Sequence, residues 1–201
     1  MKIYDISQEV FGCEVFPGDD APQKEEVMRM AEGALYNLTS LHMCAHNGTH
    51  VDAPFHFIQD GITIEQIPLE KMIGKAFVTA AEGEVTGIIA KEIIRKAKET
   101  DVEASGKILI KGRGIITVEA AEVFVEAGVD LIGVELQSVG PVESPMAVHR
   151  VLLGASVVLL EGIRLSEVCE GVYFLNAAPI LLGGSDGAPC RAVLIAEKSE
   201  E

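Results

Sequence analysis

Four of the five histidines in this 201-residue chain, His42, His46, His50 and His56, fall within fifteen consecutive positions. The last three share one string, His46-Asn47-Gly48-Thr49-His50-Val51-Asp52-Ala53-Pro54-Phe55-His56. Imidazole nitrogen and carboxylate oxygen are the ligands that zinc, manganese and iron take from proteins, so the string is a candidate metal site. Asn47-Gly48 and Pro54 argue against a helical scaffold, because both break helix interiors, and an extended reading works better. On an extended strand His50 and Asp52 point to one face. Their α-carbons then lie about 6.6 Å apart, near enough to share an ion. Four residues of strand span about 13 Å. His46 therefore reaches the same ion only if the chain turns, and Gly48 is the residue that tolerates a turn. Pro54 supplies a second bend that brings His56 back toward the site. His42 falls in the preceding strand and is given no metal role.

The fifth histidine, His149, lies on a helix expected after Pro145, and Glu161 directly follows the apolar strand Val157–Leu160. Sites in α/β sheets collect at strand carboxyl ends, which makes Glu161 a candidate. Cys44 reads as a small buried residue. The segment Gly183-Gly184-Ser185-Asp186-Gly187 reads as a turn joining the last two strands, since no Lys-Ser/Thr follows to make a phosphate loop.

These side chains need a scaffold. Strands are expected at Lys2–Ile6, Lys24–Ala31, Leu35–Cys44, Lys75–Ala80, Ile108–Ile110, Leu131–Val134, Val157–Leu160, Val172–Leu175 and Ala192–Ala196. Helices are expected at Ile89–Lys98, where Ile89, Ile93, Ile94 and Ala97 share a face, from the cap Thr117 to Ala127 with Gly128 as its stop, and from Pro145 to Gly154. Phe16-Pro17-Gly18-Asp19-Asp20 is a turn, and Thr63-Ile64-Glu65-Gln66 has the form of a capping box. The alternation implies an α/β fold with a mixed sheet, more antiparallel in the first half and partly parallel in the second. The length fits a single domain over residues 1–201, with Glu197–Glu201 expected to fray.

Composition narrows the partners. Lys+Arg number 16 against 31 Asp+Glu, a net charge of −15. Such a balance repels phosphate backbones and anionic lipid, so neither nucleic acid nor a membrane surface is expected. The 48% hydrophobic share excludes general disorder and leaves apolar material for a subunit interface. Val151–Leu160, the longest nearly apolar run, is too short to cross a bilayer. Met1-Lys2-Ile3-Tyr4-Asp5 lacks the apolar stretch of a signal peptide. Cys13, Cys44, Cys169 and Cys190 form no CxxC and no dense framework, so reduced thiols in a cytoplasmic protein are expected.

The string His46-x-Gly48-Thr49-His50-x-Asp52-x-Pro54-x-His56 resembles the signature of the cyclase family of metal-dependent hydrolases, which includes bacterial kynurenine formamidases and isatin hydrolases. Phe16-Pro17-Gly18-Asp19 is similar to its aromatic-Pro-Gly-Asp turn. Ile132–Ser138 is similar to its strand and serine-containing loop, with Glu135 where the family often has aspartate. His149 and Glu161, twelve positions apart, match its second histidine–glutamate pair, and Gly184–Arg191 its C-terminal loop. The resemblance implies a swivelling β/β/α fold, assembly as a homodimer or homotetramer, and two close divalent ions, zinc or manganese. It implies that His46, His50 and Asp52 hold the first ion. Asp52 would bridge to a second, held also by His149 and Glu161, and His56 would be general base and acid. The implied activity is hydrolysis of an amide-like bond in a small molecule: an aryl formamide, a cyclic amide or a related ester. Phe16 stands where the family has an aromatic lining the substrate pocket. Kynurenine formamidases carry tryptophan there, and this chain has none. A phenyl ring stacks on an aryl group but donates no indole N–H hydrogen bond.

Two other chemistries are compatible with part of the pattern. His50-x-Asp52 with His149 also fits the two-histidine, one-carboxylate set of non-haem iron oxygenases. That set has no use for His46 or Glu161. A non-catalytic metal-binding protein on a hydrolase scaffold has no use for His56.

Overall fold

A computed structural model describes residues 1–196; Glu197–Glu201, the end expected to fray, lies outside the described residues. The strands are β1 (Lys2–Asp5), β2 (Gln23–Met28), β3 (Leu38–His42), β4 (His50–Asp52), β5 (Ile73–Ala80), β6 (Gly83–Val85), β7 (Lys107–Lys111), β8 (Gly114–Ile116), β9 (Leu131–Val134), β10 (Val158–Glu161), β11 (Gly171–Asn176), β12 (Gly187–Pro189) and β13 (Val193–Ala196). The α-helices are α1 (Gly87–Thr100), α2 (Val118–Glu126) and α3 (Met146–Gly154). The expected α/β fold with a mixed sheet is the one observed.

The main sheet has the order β1-β13-β11-β5-β7-β9-β10-β4-β12. Its centre, β5-β7-β9-β10, is parallel, and every pairing outside that centre is antiparallel. Parallel neighbours need crossovers, and α1, α2 and α3 supply the three in turn. Thr86 and Thr117 start the first two helices by accepting from the backbone N–H of Ile89 and Ala120. Along each central strand alternate side chains go to opposite cores. Ile108, Ile110, Ile132, Val134 and Leu159 pack under the helices with Phe124 and Leu152. Leu109, Leu131, Val158 and Leu160 pack on the other face with Val51, Met72 and Leu194. Burial on both faces makes such strands continuous apolar runs, which is why they stand out in the sequence.

The sheet curls around this second core. β1 forms one edge and β4 lies next to the other. Yet Gln8, just past β1, donates its backbone N–H at 2.9 Å to the hydroxyl of Thr49, just before β4. The hairpin β2–β3 stands apart from the main sheet, with every residue of both strands exposed. Three short strands were not expected. β6 and β8 form a parallel pair of their own, and β12 adds an edge strand that starts at Gly187, the last residue of the segment read as a turn. Its Pro189 is tolerated because an edge strand leaves one side unpaired. Thr63 donates its backbone N–H to the Gln66 side chain at 3.1 Å, the capping contact read from the sequence, over a single 3-10 turn. The four cysteines are unpaired. Among the described residues no helix is long and apolar enough to cross a membrane.

Candidate metal centre

The register of β4 builds the centre. His50 lies opposite Glu161 on β10, and Asp52 lies opposite Leu159. Directly opposed residues share a face, so His50, Asp52 and Glu161 all point to the helix side while Val51 enters the other core. Before β4, Gly48 adopts φ +71°, a left-handed conformation suited to glycine, and the chain turns so that His46 comes back beside Asp52. After β4, Pro54–His56 makes a 3-10 turn whose closing bond runs from the His56 N–H to the Ala53 carbonyl at 2.9 Å. That turn stacks the His56 ring on His46, centroids 4.1 Å apart. Helix α3 delivers His149 from its buried face. All six residues expected at the site are therefore brought together, whereas His42 is exposed on β3.

Asp52 is the hub. Its Oδ1 lies 2.9 Å from His46 Nδ1 and 3.3 Å from His50 Nε2, and its Oδ2 lies 3.7 Å from His149 Nε2. Glu161 stands 3.5 Å from His50 Nε2 and 3.3 Å from His149 Nε2. Two groups of ligand atoms include Asp52, His46/His50/Asp52 and Asp52/His149/Glu161, and a third, His46/His56/Asp186, lies beside them, each with its atoms within 4.8 Å of one another. His50, Asp52, His149 and Glu161 are buried. Backbone carbonyls orient two of the rings: Gly48 O accepts from His50 Nδ1 at 3.1 Å and Pro145 O from His149 Nδ1 at 2.8 Å. A carbonyl only accepts, so Nδ1 carries a hydrogen and Nε2 faces the centre, the outer bonding common behind metal-bound histidines. The Val139 N–H holds Glu161 Oε1 at 2.8 Å.

His50 Nε2 and Asp52 Oδ2 are buried without any hydrogen-bond partner. Orphaned polar atoms in an interior are costly, and a divalent cation would satisfy both. The nitrogen and oxygen donors suit zinc, manganese or iron, so the residues fit a metal. The cluster also draws positive charge as protons. Burial opposes charge on the imidazoles, yet Asp52 and Asp186 raise His46 to about 11, and Asp52 and Glu161 raise His50 to about 9. Burial pushes the Asp52 carboxyl up, but the imidazoles of His46 and His50 outweigh it and hold the group well below the usual carboxylate range. A cavity of about 180 Å³ opens onto the cluster. Phe16 and Phe57 give it aromatic walls, and Gln137 and Ser138 add polar groups.

Residues 4–141 match the family described as "Putative cyclase". The chain belongs to this family. It is 34% identical to the kynurenine formamidase of Erythrobacter litoralis, over 96% of this chain and 93% of that one. It is 32% identical to the kynurenine formamidase of Salinibacter ruber, over 96% and 97%. A solved structure described as a potential metal-dependent hydrolase with cyclase activity is 25% identical and superposes with a TM-score of 0.81, over 98% and 99%.

Three residues of this cyclase-family chain add detail that its sequence did not disclose. Glu135 follows directly on β9. Its carboxylate accepts from the backbone N–H of Gly112 at 2.5 Å and of Leu165 at 2.8 Å, so it fastens two loops together. Ser138 presents a buried, unpartnered hydroxyl beside the cavity. Asp186 reaches the cluster from the loop before β12, its Oδ2 lying 2.9 Å from His46 Nε2 and 3.2 Å from His56 Nδ1. The one signal for Asp186 was a carboxylate within a glycine-rich loop, and only the β12–β4 pairing gives it a neighbour.

Proposed function

We propose that the chain is a metal-dependent hydrolase of amide-like bonds, taking an aryl formamide, a cyclic amide or a related ester of a small molecule. The observation that carries this reading is Asp52, whose two carboxylate oxygens face two groups of imidazole and carboxylate ligands. His46, His50 and Asp52 would hold one divalent ion, and Asp52, His149 and Glu161 a second. Zinc and manganese both suit these donors. Such ions, when bound, lower the pKa of water toward neutrality and polarise a carbonyl. The two kynurenine formamidase relatives favour an aryl formamide among the candidate substrates.

The chain's own residues then have separate tasks. Phe16 and Phe57 offer flat apolar walls against which an aryl group stacks. His56 turns Nδ1 toward Asp186, which leaves Nε2 to take a proton from water and return it to the leaving nitrogen. That return matters because an amide nitrogen leaves readily only once protonated. The buried ligands keep bulk water away from one side of the reacting carbonyl, where charges interact more strongly than in solvent. The same reading takes the chain as one domain, assembled as a homodimer or homotetramer in the cytoplasm.

His46 adds a ligand beside Asp52, and Glu161 adds one beside His50 and His149; these two further ligands favour a hydrolase over a two-histidine, one-carboxylate oxygenase. Turnover with zinc or manganese in the absence of oxygen separates the two. The direct test is metal analysis and amidase assay of His50→Ala and His56→Ala. The first substitution is expected to lower metal occupancy. The second is expected to keep metal and lose roughly 10²–10⁴-fold in rate. Wild-type hydrolysis by both variants would end the reading, and a fully metallated protein that turns over no formamide, lactam or lactone would favour a non-catalytic metal binder.

A further inference from the structure

We propose that Asp186 is a positioning residue that couples the grip on the metal to the general base, because one of its oxygens receives a hydrogen bond from each of His46 and His56. The two contacts, 2.9 Å to His46 Nε2 and 3.2 Å to His56 Nδ1, converge on Oδ2. An ionised carboxylate only accepts, so both facing nitrogens carry hydrogen. His46 turns Nδ1 toward Asp52 Oδ1, 2.9 Å away, on the side of the first candidate ion, where an ion would take the place of the Nδ1 hydrogen. His56 is left with a bare Nε2.

A carboxylate behind a metal-binding imidazole fixes the ring and makes it a better donor. The same bond behind a basic imidazole holds the correct tautomer and stabilises the cation formed on proton uptake. In this chain a single oxygen serves both rings, whose centroids lie 4.1 Å apart at a tilt of 31°. Asp186 is itself pinned by the fold. Its carbonyl accepts from the Ala53 N–H at 2.9 Å, and the preceding carbonyl, of Ser185, accepts from Ile64 at 3.0 Å.

The proposal rests on the hydrolase reading for its rate measurement alone; the spectroscopic and affinity measurements need no turnover. Long-range proton–nitrogen spectra of the wild-type chain, with nitrogen-15 histidine and loaded with zinc, are expected to give hydrogen on Nε2 alone for His46 and on Nδ1 alone for His56. Asp186→Asn keeps the shape and removes the charge. It is expected to weaken zinc, measured by chelator competition, by about 10–100-fold and to lower kcat by a similar factor with KM little changed. A His56 hydrogen on Nε2 with Nδ1 bare in the wild-type chain would overturn the proposal. So would an Asp186→Asn protein that keeps both wild-type zinc affinity and kcat. Should that variant fail to fold, the wild-type spectrum decides alone.

Discussion

Gly187 faces Asp52 across the β4–β12 pair, and a Cβ built there would stand 2.8 Å from His46 Cε1 and 2.9 Å from the Val51 carbonyl. The backbone oxygen cannot yield, so Gly187→Ala is expected to push the His46 ring off Asp52. Calorimetric titration should then find weaker zinc binding than in wild type, and equal affinity would contradict this account of the turn. The imidazoles also set a pH dependence. In the metal-free chain His50 is raised to about 9 and His46 to about 11 from an ordinary 6.5. A group raised by folding contributes stability that is fully present below its unfolded pKa and is lost as pH climbs through its folded value. The metal-free chain is therefore expected to lose stability as pH rises from about 6.5 through 9 and toward 11. Zinc competes with the same protons, so its affinity should rise over that range. Urea denaturation at a series of pH values, with and without zinc, checks both signs; metal-free stability that increases with pH would contradict them.

At the scale of elements, α3 is held by Val148, Leu152 and Leu153, all buried, and carries His149 on the same face. Leu152→Ala is expected to cost about 2–5 kcal/mol in urea denaturation, since the cavity adds to lost burial. Metal analysis of that variant should find the ion of the His149/Glu161 group depleted more than that of the His46/His50 group. Equal depletion of both would argue against α3 as an independent support. Much of this scaffold was legible in the sequence. The central strands are apolar on both faces, and the helices carry threonine caps and periodic faces. β6, β8 and β12 were not legible, because three residues each, beginning with Gly83, Gly114 and Gly187, hold too little pattern to register. The local half of the site was legible for the same kind of reason: period two puts His50 and Asp52 on one face, and Gly48 and Pro54 mark the bends. The distant half was not. His149 and Glu161 join Asp52 through the β10–β4 register and the seat of α3, and those were implied only by resemblance. Asp186 lies 140 positions from His46, and no local spacing announces a contact made by β12 folding back on β4.

At the scale of the whole molecule, the candidate ions would tie together β4, β10 and α3, which are far apart along the chain. A ligand that binds only the folded state stabilises it by about 2.7 kcal/mol at a hundred times its Kd. With a net charge of −15, bound cations also relieve self-repulsion. Dialysis against a chelator is therefore expected to lower Tm. Zinc or manganese should restore it better than magnesium, which prefers all-oxygen coordination. A Tm unmoved by chelation and by zinc would mean that no ion supports this fold. The most direct measurement is anomalous diffraction from crystals grown with zinc or manganese. The account predicts two peaks flanking Asp52, one beside His46 and His50 and the other beside His149 and Glu161. An Asp52 with no anomalous peak within bonding distance, or one turned away from His149, would contradict it.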